Sequence, residues 1–125
     1  MSDFRTPLAR ARGLGSAKSG VGHFIGQRVS AVALVLLVPI FAWSLAKHGF
    51  GDYEAARAWI ASPLGAIVTL LTLTAGFYHA RLGLQVVIED YIHTSTTKTV
   101  LLLANTLVAA GLWLATLYAI LSVAA

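Results

Sequence analysis

Three uninterrupted apolar stretches, at about 29–46, 63–92 and 99–124, take up more than half of this 125-residue chain. Each supplies the roughly 20 residues needed to cross a hydrocarbon layer of about 30 Å. None shows the period-two alternation of a lipid-facing barrel strand, so the spans are expected to be helical. A helix satisfies its backbone hydrogen bonds within itself, as lipid demands. The expected fold is therefore all-α and integral to a membrane. A single domain, 1–125, would hold three transmembrane helices at about 22–48, 63–92 and 98–124, preceded by a flexible arm, 1–20.

Composition agrees. Mean hydropathy is +0.78, and 11% of residues are charged, against roughly a quarter in soluble domains. So short and apolar a chain cannot cover its own surface with polar groups in water; lipid has to cover it. There is no cysteine, which excludes disulfides, thiolate metal sites, iron–sulfur ligation and cysteine nucleophiles within this chain. The net charge of +4 comes from basic residues bunched near the N-terminus. That pattern suits membrane topology, and no nucleic-acid partner is expected.

Local signals divide the spans. Gly20 and Gly22, with Ser19 as a cap, precede the first span, and Gly49 and Gly51 mark its end. Pro39 inside it predicts a kink of the kind membrane helices tolerate. A short amphipathic segment, 53–60, leads to Ser62-Pro63, a capping serine before a first-turn proline. The polar run 93–98 separates the second and third spans.

Lys and Arg set the expected orientation. Arg5, Arg10, Arg12, Lys18 and Arg28 precede the first span and Lys98 lies in the second loop, against Lys47 and Arg57 in the first loop. The N-terminus is thus expected in the cytoplasm and the C-terminus in the periplasm. The apolar run after the basic arm is too long for a signal-peptide core, so the arm reads as uncleaved. It favours a bacterial inner (cytoplasmic) membrane over a mitochondrial inner membrane.

The second span carries the chemistry. Tyr78, His79, Arg81, Gln85, Glu89, Asp90 and Tyr91 fall within fourteen residues, and ionisable groups at membrane depth usually face a bundle interior, a cavity or a ligand. At about 100° per residue His79, Gly83, Val86 and Asp90 share one face, which Thr72, Ala75 and Gly76 extend. A histidine in a groove of small residues has two explanations. One is close helix packing, with the imidazole bonded to a neighbour. The other is ligation of a metal inside a flat cofactor, for which haem is the best fit and Gly83 clears space. No second histidine lies at that depth: His23 and His93 belong near the inner surface and His48 near the outer. A bis-histidine haem would need a partner chain. Tyr91, about 18 Å along the helix from His79, reads on its own as an interfacial aromatic. Beside Asp90 it could also donate a hydrogen bond to a quinone.

The run from His79 through Gly83, Gln85-Val86 and Asp90-Tyr91 to His93 resembles the second-helix signature of the succinate dehydrogenase hydrophobic membrane-anchor family of complex II. Gly22-His23-Phe24-Ile25-Gly26-Gln27-Arg28-Val29-Ser30-Ala31 is similar to the segment opening that family's first helix. The resemblance implies that His79 is an axial ligand to haem b, the opposite ligand coming from a cytochrome b556-type anchor subunit. It implies ubiquinone binding by Tyr91 with Asp90 as its acidic neighbour. Arg28 would lie near the haem propionates and quinone pocket, His23 would be a nearby polar residue, and Gly83 would line the pocket. Succinate oxidation would then occur on a flavoprotein subunit, electrons reaching ubiquinone through an iron–sulfur subunit seated on the anchors. Arg81, almost opposite His79, and His93 receive no role. Two other readings use the same residues. A small transporter or proton-conducting subunit would employ His79, Arg81 and Asp90 as a relay, but no internal repeat supports it. A cofactor-free structural anchor would use them only for assembly.

Overall fold

The computed structural model describes residues 6–12, 20–48 and 52–124. Ser19, Gly49, Gly51, Arg5 and Lys18, named above as punctuation or basic arm, lie outside them. Five helices and no strand occur among the described residues: α1 (Pro7–Arg12), α2 (Gly20–His48), α3 (Tyr53–Ala61), α4 (Pro63–Tyr91) and α5 (Ser95–Ala124). Helices α2, α4 and α5 are each long and apolar enough to cross a membrane. At 1.5 Å per residue each measures roughly 45 Å, which spans the hydrocarbon layer and reaches into both interfaces. The fold is all-α, with three transmembrane helices.

Helix α4 is the centre. Helices α2 and α5 both pack on it and make no contact with each other, while α3 lies across one end against all three. Among the described apolar side chains only Val68, Leu82, Ile88 and Ile120 are buried, three of them on α4; Val35, Trp43 and Leu107 are more than 70% exposed. Lipid tails are as apolar as leucine, so burying such residues against each other gains little in a membrane, and helix contacts rely on small and polar groups instead. The buried polar residues follow that logic: Ser30, Ser44, Thr69 and Thr72 all lie on α2 or α4. Across the α4–α5 contact, Trp113 Nε1 donates to Thr74 Oγ1 at 2.9 Å and Asn105 Nδ2 to the Arg81 carbonyl at 2.9 Å.

The short helix α3 is amphipathic. Ala55, Ala56, Trp59 and Ile60 are half-buried, while Glu54 and Arg57 are exposed. Asp52 caps it, accepting from Glu54 N–H at 3.0 Å, and Trp59 stacks on His48 at the end of α2 with ring centres 5.0 Å apart. Ser62 then turns the chain. Its hydroxyl donates to the Trp59 carbonyl at 2.6 Å and accepts from Gly65 N–H at 3.1 Å, and Pro63 opens α4 where no N–H is required. Gly65 is obligatory at this corner, since a Cβ there would run into the Trp59 carbonyl.

Helix α5 starts at Ser95, a turn ahead of its apolar run. The cause is local: Lys98 N–H donates to the Thr94 carbonyl at 2.9 Å, opening the helix, and Lys98 Nζ donates to the Glu89 carbonyl at 2.9 Å. Only residues 92–94 separate α4 from α5.

Candidate functional site

The α2–α4 contact is antiparallel, and its register follows from two pairs. Ser30 meets His79, and Gln27 approaches Gly83. On α2, His23, Gln27 and Ser30 recur at spacings of four and three, so they form one polar row facing α4. On α4 the residues that meet this row are His79 and Gly83. The contact thus carries a strip of polar atoms from the start of α2 toward the middle of the span.

His79 is half-buried. Its Nδ1 lies 3.0 Å from Ser30 Oγ, and among the described residues Nε2 has no hydrogen-bond partner. The imidazole is held on one side and free on the other. Sequence reasoning singles out His79 but misses Ser30 and Gln27. Their signal is present as the four-and-three spacing from His23, which places three polar side chains on one face of a transmembrane helix.

The glycines separate close packing from open space. Gly26 is tight, since a Cβ would come within 2.6 Å of the Tyr78 hydroxyl. Gly83 is not: a Cβ there would meet only Gln27 Nε2, at an ordinary 3.7 Å, and one at Gly76 would meet nothing within 4 Å. Close approach within this chain therefore does not require the two glycines beside His79. Two polar atoms in the same region are buried without a partner among the described residues, His23 Nε2 and Gln27 Oε1. An unpaired buried polar atom costs about 1–3 kcal/mol, so a pairing group supplied from outside would relieve both.

Other residues named from the sequence lie elsewhere. Arg28 is exposed, its guanidinium 5.3 Å above the Phe24 ring, and the structure does not bring it to His79. Tyr91, 77% exposed, and Asp90 share the C-terminal end of α4, and their side chains hydrogen-bond to nothing among the described residues. Arg81 points away from the His79 face, with Nε donating to Thr106 Oγ1 on α5 at 3.3 Å. It lines an apolar groove of about 300 Å³ with Thr74, Phe77 and Trp113. His93 is a loop residue between α4 and α5.

Among the described residues no three histidine or carboxylate side chains converge on a point that could hold a metal ion. His79 is a single donor. That number suits an axial ligand to a metal whose equatorial nitrogens belong to a macrocycle. With the open glycine face and the two orphaned polar atoms, the residues present fit such a group.

Residues 2–121 match the family described as succinate dehydrogenase/fumarate reductase transmembrane subunit. Among individual relatives, the succinate dehydrogenase hydrophobic membrane anchor subunit of Rickettsia bellii is 35% identical over 82% of each chain. Its counterpart in Paracoccus denitrificans is 35% identical over 78% of this chain and 75% of its own. That of Rickettsia conorii is 32% identical over 81% of each.

Proposed function

Since the chain belongs to the succinate dehydrogenase/fumarate reductase transmembrane subunit family, and is a membrane-anchor subunit of that enzyme complex, we propose that it supplies one axial ligand to a haem b, one wall of a ubiquinone site and a docking surface for the soluble subunits. The observation that carries the haem role is the asymmetry of His79. Ser30 holds Nδ1, while Nε2 has no partner among the described residues and lies beside a glycine face open to a flat ligand. Bound there, haem supplies a b-type one-electron centre. The chain's own contribution is to hold the ring of His79 and to leave Gly76 and Gly83 without side chains. The buried His23 and Gln27 atoms offer hydrogen bonds to a polar edge. A second protein ligand would come from the partner anchor, a cytochrome b556-type chain, because no other histidine of this chain lies at that depth.

Tyr91 and Asp90, exposed together at the end of α4, form the quinone wall. The phenol donates a hydrogen bond to a quinone carbonyl and the adjacent carboxylate passes protons. That end also carries the start of α2, the α4–α5 loop and Lys98 in the first turn of α5. It is the cytoplasmic end in the orientation set by the basic residues, and the iron–sulfur and flavoprotein subunits attach there. Succinate oxidation lies on those subunits and not on this chain. Arg28, exposed on α2, would reach a propionate or quinone only across an interface with the partner anchor. The membrane is a bacterial cytoplasmic membrane.

The direct test is the dithionite-reduced minus oxidised spectrum of the purified complex. It is expected to show the sharp α-band of a b-type haem at one haem per anchor pair; a complex active with succinate but without that band overturns the haem role. Tyr91→Phe is expected to lower ubiquinone reduction roughly fivefold to tenfold, the worth of about one hydrogen bond, with assembly unchanged. Quinone turnover equal to the parent would remove Tyr91 from the site.

A further inference from the structure

The Ser30–His79 contact contains information about a proton. Ser30 Oγ lies 3.1 Å from the Gln27 carbonyl and 3.0 Å from His79 Nδ1, and a serine hydroxyl has one hydrogen. If that hydrogen went to Nδ1, the hydroxyl oxygen would face the Gln27 carbonyl oxygen at 3.1 Å with only lone pairs between them. If instead it goes to the carbonyl, the hydroxyl is left to accept, and both contacts become hydrogen bonds. The second arrangement requires the proton of the neutral imidazole to be on Nδ1. Nε2, pointing to the far side of the ring, then carries the lone pair.

We infer that Ser30 is a positioning residue which fixes His79 in the Nδ1–H tautomer and presents Nε2 as a ready metal ligand. This rests on the reading of His79 as a haem ligand. Ser30 is 5% exposed, so no water competes freely for the Nδ1 proton. The chain of donors runs in one direction: His79 Nδ1–H to Ser30 Oγ, and Ser30 O–H to the Gln27 carbonyl. The helix backbone of α2 thereby sets both the rotation and the protonation of a ring on α4. Donation from Nδ1 also strengthens Nε2 as a metal donor, the usual effect of an outer partner on a ligating histidine. A stronger nitrogen donor would favour the ferric form of a bound haem and lower its potential.

The experiment is a substitution series in the complete complex, with haem content and haem midpoint potential as readouts. Succinate oxidation with an artificial acceptor serves as a measure of assembly. Ser30→Ala removes the acceptor and is expected to weaken haem retention about 10- to 100-fold, as loss of an outer-sphere partner does, and to raise the potential of haem that remains. Ser30→Thr keeps the hydroxyl and should restore both values. Ser30→Cys keeps the volume with a weaker acceptor and should fall between, which keeps the inference testable if the alanine variant does not assemble. Alanine or cysteine variants with parental haem content and potential would overturn the role of Ser30. If His79→Ala kept an unaltered haem spectrum, the ligand assignment itself would fall, a separate result from parental values in the Ser30 variants alone.

Discussion

His79→Ala is expected to abolish the b-type haem band of the assembled complex while succinate oxidation with artificial acceptors continues. The loss should exceed the roughly 10- to 100-fold effect of removing an outer-sphere partner, because here the iron loses a ligand outright. The fold should survive for reasons visible at the site. Alanine is the strongest helix former, so the middle of α4 is not weakened. Ser30 keeps its bond to the Gln27 carbonyl, so removing the imidazole leaves no hydroxyl stranded. The α4–α5 contact, held by Trp113–Thr74 and Asn105–Arg81, lies on the other side of the helix. Haem content per complex, from the pyridine haemochrome spectrum, measured beside acceptor-linked succinate oxidation, separates loss of the cofactor from loss of the complex. An unaltered band in the variant would place the ligand on another residue.

What could be read from residues alone divides along physical lines. The three spans were legible because lipid removes every other way to satisfy a long apolar backbone. The Ser62-Pro63 corner was legible because capping and proline chemistry are local. The start of α5 was less so: Ser95, Thr96 and Thr97 are equally at home in a loop and in a first helical turn, and the Lys98 bond to Glu89 decides between them. At the site, His79 stood out because an imidazole at mid-membrane is costly without a purpose. Ser30 did not. A serine in a transmembrane helix ordinarily bonds back to its own helix, as Ser44 does to the Ile40 carbonyl at 2.8 Å. Ser30 does that too, and only the antiparallel register of α2 on α4 shows that its remaining lone pairs meet a histidine. Arg81 shows the reverse case. Its charge drew attention in the sequence, yet its guanidinium meets Thr106 and its backbone carbonyl meets Asn105, both in the α4–α5 contact.

The small-residue face of α4 gave two readings from sequence, close packing or space for a flat ligand, and Gly83 can decide between them. Gly83→Leu is expected to cut haem content to a small fraction of the parent while leaving assembly and acceptor-linked succinate oxidation near parental levels. The reasoning starts from room. A Cβ at position 83 meets only the flexible end of Gln27, at 3.7 Å, so an alanine there enters α4 without pushing α2 away. It also gains about 1 kcal/mol of helix propensity over glycine. Leucine then extends past Cβ into the open face beside His79, where a macrocycle held by that histidine would have to lie. Gly83→Ala should accordingly assemble at least as well as the parent and lose haem only in part. If the glycine instead served contact between α2 and α4, as Gly26 does against Tyr78, the alanine variant would already assemble poorly, and haem would fall only in step with the amount of complex. The haem-to-protein ratio across glycine, alanine and leucine therefore discriminates: a ratio that falls with side-chain size at constant assembly means a cradle, and a constant ratio with falling yield means a packing seam.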